Sequence, residues 1–150
     1  MTSIKQQLYA NCLAFVEQRI ASAQEAIAIA QQSANEETKS SAGDKYETGR
    51  AMAQLEIEKN SAHLAESLKL KQTLEKIDAD QKSDTVRIGS LVKTNHGNFY
   101  LAISAGQFTI NHEVYFVISS ASPIGQKLMG LHVKHRFLFN NREFLVMQID

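Results

Sequence analysis

A single cysteine, Cys12, in a chain of 150 residues excludes an intrachain disulfide. No stretch approaches the roughly 20 apolar residues that a membrane span requires. The opening Met1-Thr2-Ser3-Ile4-Lys5-Gln6 also lacks an apolar run of signal-peptide length. A cytoplasmic protein without a membrane partner is therefore expected. Net charge is missing too, since sixteen Lys and Arg balance sixteen Asp and Glu. A general nucleic-acid binder needs a basic excess to neutralise phosphates, and this balance argues against one. Aromatics are scarce in the first half: only Tyr9, Phe15 and Tyr46 precede residue 81, against eight after it. Aromatic side chains supply much of the area a small core buries, so the first half cannot easily build one and the second half can.

The zero net charge conceals a division at the same place. Residues 1–80 hold nine basic and twelve acidic side chains, a net of −3, and residues 81–150 hold seven and four, a net of +3. Two domains are expected, 1–80 and 81–150. Cys12 fits an apolar packing stripe, with no His or basic cluster near it in sequence to activate a thiolate.

From Ser3 to Ala34 there is no Gly or Pro, and Ala, Gln, Glu and Leu dominate. These are good helix formers, and Thr2 or Ser3 suits the start as a cap. Ile4, Leu8, Cys12, Phe15, Ile20, Ala23, Ile27 and Ala30 recur mostly at three- and four-residue steps, which places them on one helical stripe. The stripe narrows to Ala, so a partner helix must approach closely there. Ser33 to Gly43 is polar and small, as a turn requires. A second helix is expected from about Asp44 to Ala79, with Met52, Leu55, Ala62, Leu64, Leu68, Leu74 and Ile77 as its apolar positions. At 1.5 Å per residue each helix is a rod of about 50 Å. Neither narrow stripe is stable alone, so the two should pair antiparallel as a coiled-coil hairpin with its tip at about 35–47.

After the polar linker 80–84, apolar runs of strand length alternate with turn residues. Strands are expected at Val86–Val92, Phe99–Ile103, Glu113–Ile118, Arg136–Phe139 and Glu143–Ile149. Turns are expected at Asn95–Asn98 and Asn140-Asn141. Ser122 to Gly130 reads as a short helix, with Ser122 its N-cap, Pro123 its first residue and Gly130 its end. The whole is an α+β chain: a long antiparallel hairpin, then a small antiparallel sheet of four or five strands with one short helix.

This order of parts resembles the bacterial Gre transcript-cleavage factors over nearly the whole chain. Arg87-Ile88-Gly89-Ser90-Leu91-Val92 is similar to the family's "iGs.V" strand. The segment Ile118 to Gly130 resembles its "iS..SPi...L.G", and Glu143 to Ile149 its "y.I..I" ending. The resemblance implies an FKBP-like second domain. Gly43-Asp44-Lys45-Tyr46-Glu47-Thr48 is similar to the family's "GD..EN". There the Asp and Glu enter RNA polymerase through its secondary channel, help hold a Mg²⁺ ion in the polymerase active site and position a water that hydrolyses backtracked RNA. Asp44 and Glu47 are the matching residues. The resemblance further implies that the loop at Ser122, Pro123, Ile124 and Gly125 grips the polymerase at the channel rim. The protein would then be a monomeric accessory factor and not itself an enzyme. It would meet the nascent RNA 3′ end only indirectly and hold no Mg²⁺ stably alone.

The chemistry is coherent by itself. Carboxylates three residues apart on a helix share a face, and hard oxygens suit Mg²⁺. Two alone bind it weakly, so the ion must be shared. In two-metal hydrolysis one ion activates water and the other stabilises the leaving oxygen. Three departures from the family stand beside this: Thr48 replaces Asn, Ala51 replaces a Tyr, and Lys134-His135 replaces a Gly-Asp pair.

Other readings stay open. Asp44 and Glu47 also fit a capping box. Glu36 and Glu37 add negative potential at the tip or are simply solvated, as Lys39, Lys45 and Arg50 are by default. His132 and His135 form the one close His pair, without a further ligand to complete a metal site. A channel-binding regulator without cleavage activity, or a coiled-coil scaffold, would account for the same hairpin. A prolyl isomerase rests on fold analogy alone, and the second half has no Trp to floor such a pocket.

Overall fold

The computed structural model describes residues 2–39 and 44–150, with the side chains of 37–39 and 44–47 outside that description. The elements run α1 (Ile4–Lys39), α2 (Asp44–Glu75), β1 (Leu91–Thr94), β2 (Gly97–Leu101), β3 (Gly106–Ile110), β4 (Glu113–Ile118), α3 (Pro123–Leu128), β5 (Arg136–Phe139) and β6 (Arg142–Ile149). Two long helices precede a sheet, which is the expected α+β class. The chain divides into two compact units: Met1–Ala14 with Gln72–Asp150, and Phe15–Lys71. The first residues of α1 and the last of α2 thus belong to the same compact unit as the sheet.

In the helical unit the grooves between α1 and α2 give the direction. Phe15 and Ala23 share one groove with Asn60 and Ser67, while Ala26 and Ser33 share another with Gly49 and Asn60. Advancing along α1 retreats along α2, so the helices are antiparallel. α1 continues through the stretch expected to turn, as far as Lys39. Ser and Asn disfavour helix only mildly, and Gln32 Nε2 donates to Glu36 Oε1 one turn on, at 3.4 Å. Residues 40–43, where the rest of the expected turn falls, lie outside the described residues. The buried contacts of this unit include Val16, Ala23, Ala30, Ala53 and Ser67. Met52 and Leu55, expected on the seam, are each 64% exposed, and Leu68 is also exposed. Side chains as small as Ala and Ser hold the axes close, so the larger residues a step away stand outside the contact.

In the β-rich unit the strand order is β3-β4-β2-β1-β6-β5. All neighbours are antiparallel except β2 and β4, which run parallel from Asn98↔Tyr115 to Leu101↔Ile118. Six strands replace the four or five expected, and the sheet is not wholly antiparallel. The additional strand is β3, a five-residue segment that, among the described residues, pairs only along β4. The first strand begins at Leu91 and not at Val86. Gly89 takes φ +94°, which breaks an extended run, and its N–H donates to the Leu101 carbonyl at 2.6 Å. A Cβ there would press on Ile77 Cγ2 at 3.0 Å. Asn111-His112 and Asn140-Asn141 adopt positive φ at both positions, the type I′ geometry that matches strand twist.

One sheet face carries the main core. Val86, Val92, Phe99, Leu101, Leu128, Phe144 and Val146 are buried together, with Ile124, Phe137 and Phe139 against them. Phe137 stacks on Phe144 with centroids 5.0 Å apart. Side chains alternate across a sheet, so Leu91, Tyr100, Tyr115 and Val117 point to the other face. There Leu8, Cys12 and Leu74 supply buried side chains from the helix ends, and Tyr9 Oη donates to the Leu74 carbonyl at 3.0 Å. α2 ends four residues before the expected Ala79. Its last bonds tighten to Lys76 N to Thr73 O and Ile77 N to Leu74 O, and Asp78 Oδ1 then accepts from Asp80 N at 2.9 Å.

Candidate functional site

α2 begins at Asp44, and Asp44 and Glu47 both have helical backbone, three residues apart in its first turn. They stand at the end of the helical unit away from Phe15 and Lys71, next in sequence to the end of α1. The side chains of Asp44 and Glu47 lie outside the described residues, as does Gly43, so the capping box and the metal-ligand reading both concern atoms beyond that description. Glu36, on the last turns of α1, is exposed. A pair of carboxylates supplies two hard oxygen ligands, which suits Mg²⁺ shared with a second ligand set and not held alone. Among the described residues no group of three or more His, Cys, Asp or Glu is placed to hold a metal ion.

The second expected site is built by α3. Ser122 is the N-cap in extended conformation (φ −65°, ψ 156°), and Pro123 occupies the first turn. The Ser122 hydroxyl accepts from Gly125 N at 3.1 Å and donates to the Ser119 carbonyl at 2.7 Å. One side chain thus satisfies a free helix donor and clamps the end of β4 to the start of α3. Gly125 is buried, and a Cβ on it would collide with the Ser119 carbonyl oxygen and with Ser122 Oγ. Ile124 is half-buried against the main core, and Pro123 is exposed. Of the four residues, Pro123 and the outer part of Ile124 are therefore available to a partner, while Ser122 and Gly125 hold the turn.

A tight turn at Val133-Lys134 precedes β5. Lys134 occupies φ +77°, a region glycine enters freely and a lysine does not. Lys134 N donates to Val146 O at 2.8 Å, and His132 N donates to His135 Nδ1 at 3.0 Å. The His135 ring thus helps close the turn, which carries backbone strain at residue 134. The His132 and His135 rings meet edge to face at 5.4 Å.

Two buried groups, Lys5 and Tyr100, escaped sequence reasoning, while the burial of Cys12 was expected. Lys5 is only 6% exposed; its Nζ donates to the Gln81 carbonyl at 2.6 Å, and burial lowers its pKa against the opposing pull of Asp150. Burial pushes the Cys12 thiol up to about 12. Tyr100 is fully buried, its hydroxyl has no hydrogen-bond partner among the described residues, and burial, then Cys12 and Tyr9, raise its pKa well above the ordinary range. An i, i+4 apolar stripe flags Leu8 and Cys12 as core, but nothing in the sequence marks a lysine three residues earlier for burial.

Among the described residues no helix is long and apolar enough to cross a membrane. No protein-family model matches the chain, and neither does any curated protein. A solved structure of the transcription factor Gfh1 is 21% identical, covering 94% of this chain and 92% of that one, with a TM-score of 0.35.

Proposed function

We propose that this chain is a transcription elongation factor that binds RNA polymerase, places the Asp44 end of its helix pair in the secondary channel, and stimulates cleavage of backtracked RNA. The observation that carries the reading is the Gly43-Asp44-Lys45-Tyr46-Glu47 motif at the start of a long helix antiparallel to its predecessor. An antiparallel pair presents the residues at its closed end without needing a globular core around them. The β-rich unit supports the same reading through the clamped Ser122–Gly125 turn, which would offer Pro123 and Ile124 to the polymerase at the channel rim.

On this reading Asp44 and Glu47 donate carboxylate oxygens to a Mg²⁺ ion that the polymerase also holds. When bound, that ion would supply the charge stabilisation and water activation of phosphodiester hydrolysis. The two carboxylates orient the ion and a water, and the polymerase completes the site. The factor alone is not an enzyme. The alternative is a channel-binding regulator without cleavage activity; it draws on Thr48 and Ala51, which replace the family's Asn and Tyr beside the carboxylates.

The test is RNA cleavage in stalled, backtracked complexes of the cognate polymerase, with the wild-type chain and with Asp44→Ala plus Glu47→Ala. Shortened RNA with the wild type, lost in a double variant that still binds, is expected. Binding that slows nucleotide addition without cleavage would replace this reading with the regulator. Absence of binding would leave a coiled-coil scaffold.

A further inference from the structure

We propose that the free edge of β3 is a self-association site, at which two copies of this chain join their sheets antiparallel through residues 106–110. Among the described residues β3 is the terminal strand of the sheet and pairs only with β4. Alternate residues of an edge strand turn their N–H and C=O groups away from the sheet, a template for another strand. Edges are ordinarily blunted with charge, especially Lys, or with Pro. Gly106-Gln107-Phe108-Thr109-Ile110 carries neither. Gly106, Gln107 and Thr109 are exposed and Phe108 is half-buried. The opposite edge is guarded: β5 opens with Arg136, whose guanidinium meets Glu143 at 3.1 Å.

The strand's own composition selects a second copy as the occupant. A two-fold axis at Phe108 sets Phe108 against Phe108 of the second copy, Gln107 against its Thr109, and Gly106 against its Ile110. No charged side chain meets its like, because the strand has none. Glu113 is paired with Ile110 one strand in, and antiparallel pairing sets Ile110 against the uncharged Gly106 of the second copy. The observed register opposes Phe108 to Tyr115. The joined sheet would therefore extend that pair into a row of four aromatics, Tyr115, Phe108, Phe108 and Tyr115, and such cross-strand pairs are stabilising. On the other face the Gln107–Phe116 and Thr109–Val114 rows would join through reciprocal Gln–Thr contacts. Val114 and Phe116 are the exposed apolar residues of β4, 39% and 37% accessible, one strand in from the edge. One strand pair buries less than the roughly 1,200 Å² of the smaller stable interfaces, so the dimer is weak and concentration-dependent. The monomer expected from the sequence would then be the dilute form.

The test is sedimentation equilibrium of the full chain from about 10 µM to about 1 mM, the range in which a weak interface reports. The wild type should move from monomer towards dimer. Gln107→Lys with Thr109→Lys sets two Lys–Lys pairs across the axis and should weaken dimerisation by more than about tenfold, whereas Gln107→Lys with Thr109→Glu sets two Lys–Glu pairs and should stay within about threefold of wild type. Gln107→Glu with Thr109→Glu serves as a second repulsive variant, with circular dichroism confirming that each folds. A wild type that stays monomeric throughout overturns the proposal. So do repulsive and attractive variants that associate alike.

Discussion

Replacing Tyr100 with Phe deletes one oxygen atom and should make the β-rich unit more stable. Tyr100 sits in β2 between Leu91 and Val117, with none of its surface accessible. Its hydroxyl finds no hydrogen-bond partner among the described residues. Leaving a buried hydroxyl unpaired costs about 1–3 kcal/mol relative to water. Against this, the gap left by the oxygen is no larger than a methylene, worth about 0.8 kcal/mol. The balance favours Phe by about 0.2–2 kcal/mol. For a cooperative unit of this size, each 1 kcal/mol moves Tm by about 4–8 °C. The assay is thermal unfolding followed by near-ultraviolet circular dichroism, with urea unfolding to show that the slope is unchanged and the midpoint alone has moved. A loss of stability of about 0.5 kcal/mol or more would refute the reasoning, since it would mean that the hydroxyl is satisfied in solution.

Three further expectations rest on single contacts. Gly125→Ala forces a methyl into the Ser119 carbonyl and the Ser122 hydroxyl, and overpacking of this kind should cost about 1–3 kcal/mol in chemical denaturation. Lys134→Gly relieves the left-handed backbone at φ +77° and should gain up to about 1 kcal/mol despite the greater freedom of glycine when unfolded; a loss in the same assay would show that the lysine side chain holds the turn. Cys12 ionises at about 12 when folded and at its ordinary 9.0 when unfolded. Its contribution to stability is thus complete below pH 9 and drains away as pH rises to about 12. Urea midpoints across that window should fall less steeply in Cys12→Ala, and the wild-type thiol should resist modification until the chain unfolds.

Much of the architecture was legible from periodicity. The long helices, β4, β5, the Asn140-Asn141 turn and the α3 cap follow from apolar spacing and from residues with one strong local preference. Ser122 before Pro123 is such a case: the hydroxyl and the fixed φ of proline leave the chain few alternatives. β3 was not legible, because five residues with one aromatic and two branched side chains, opened by a glycine, become a strand only when β4 lies alongside. The late start of β1 escaped for the converse reason. Val86 to Val92 has the composition of a strand, and the left-handed Gly89 that interrupts it is set by its approach to Ile77. For the candidate site, the motif at Asp44 and Glu47 was visible in the sequence, as was the Ser122–Gly125 turn. That two of the four turn residues face inward was not.

By itself, then, the sequence determined the class of the chain, its helix-first order and the start of its second helix at Asp44, because those depend on neighbours within one or two turns. Tertiary structure decided what is buried. Ala53 and Ser67 lie buried in the helical unit while Met52 and Leu55 face outward, since the distance between two helix axes selects side chains by size and not by hydrophobicity. Lys5 and the Tyr100 hydroxyl are enclosed for a related reason. The residues that cover them come from segments more than 70 positions away in one case and from the opposite layer in the other, and no local pattern in a chain encodes who its distant neighbours will be.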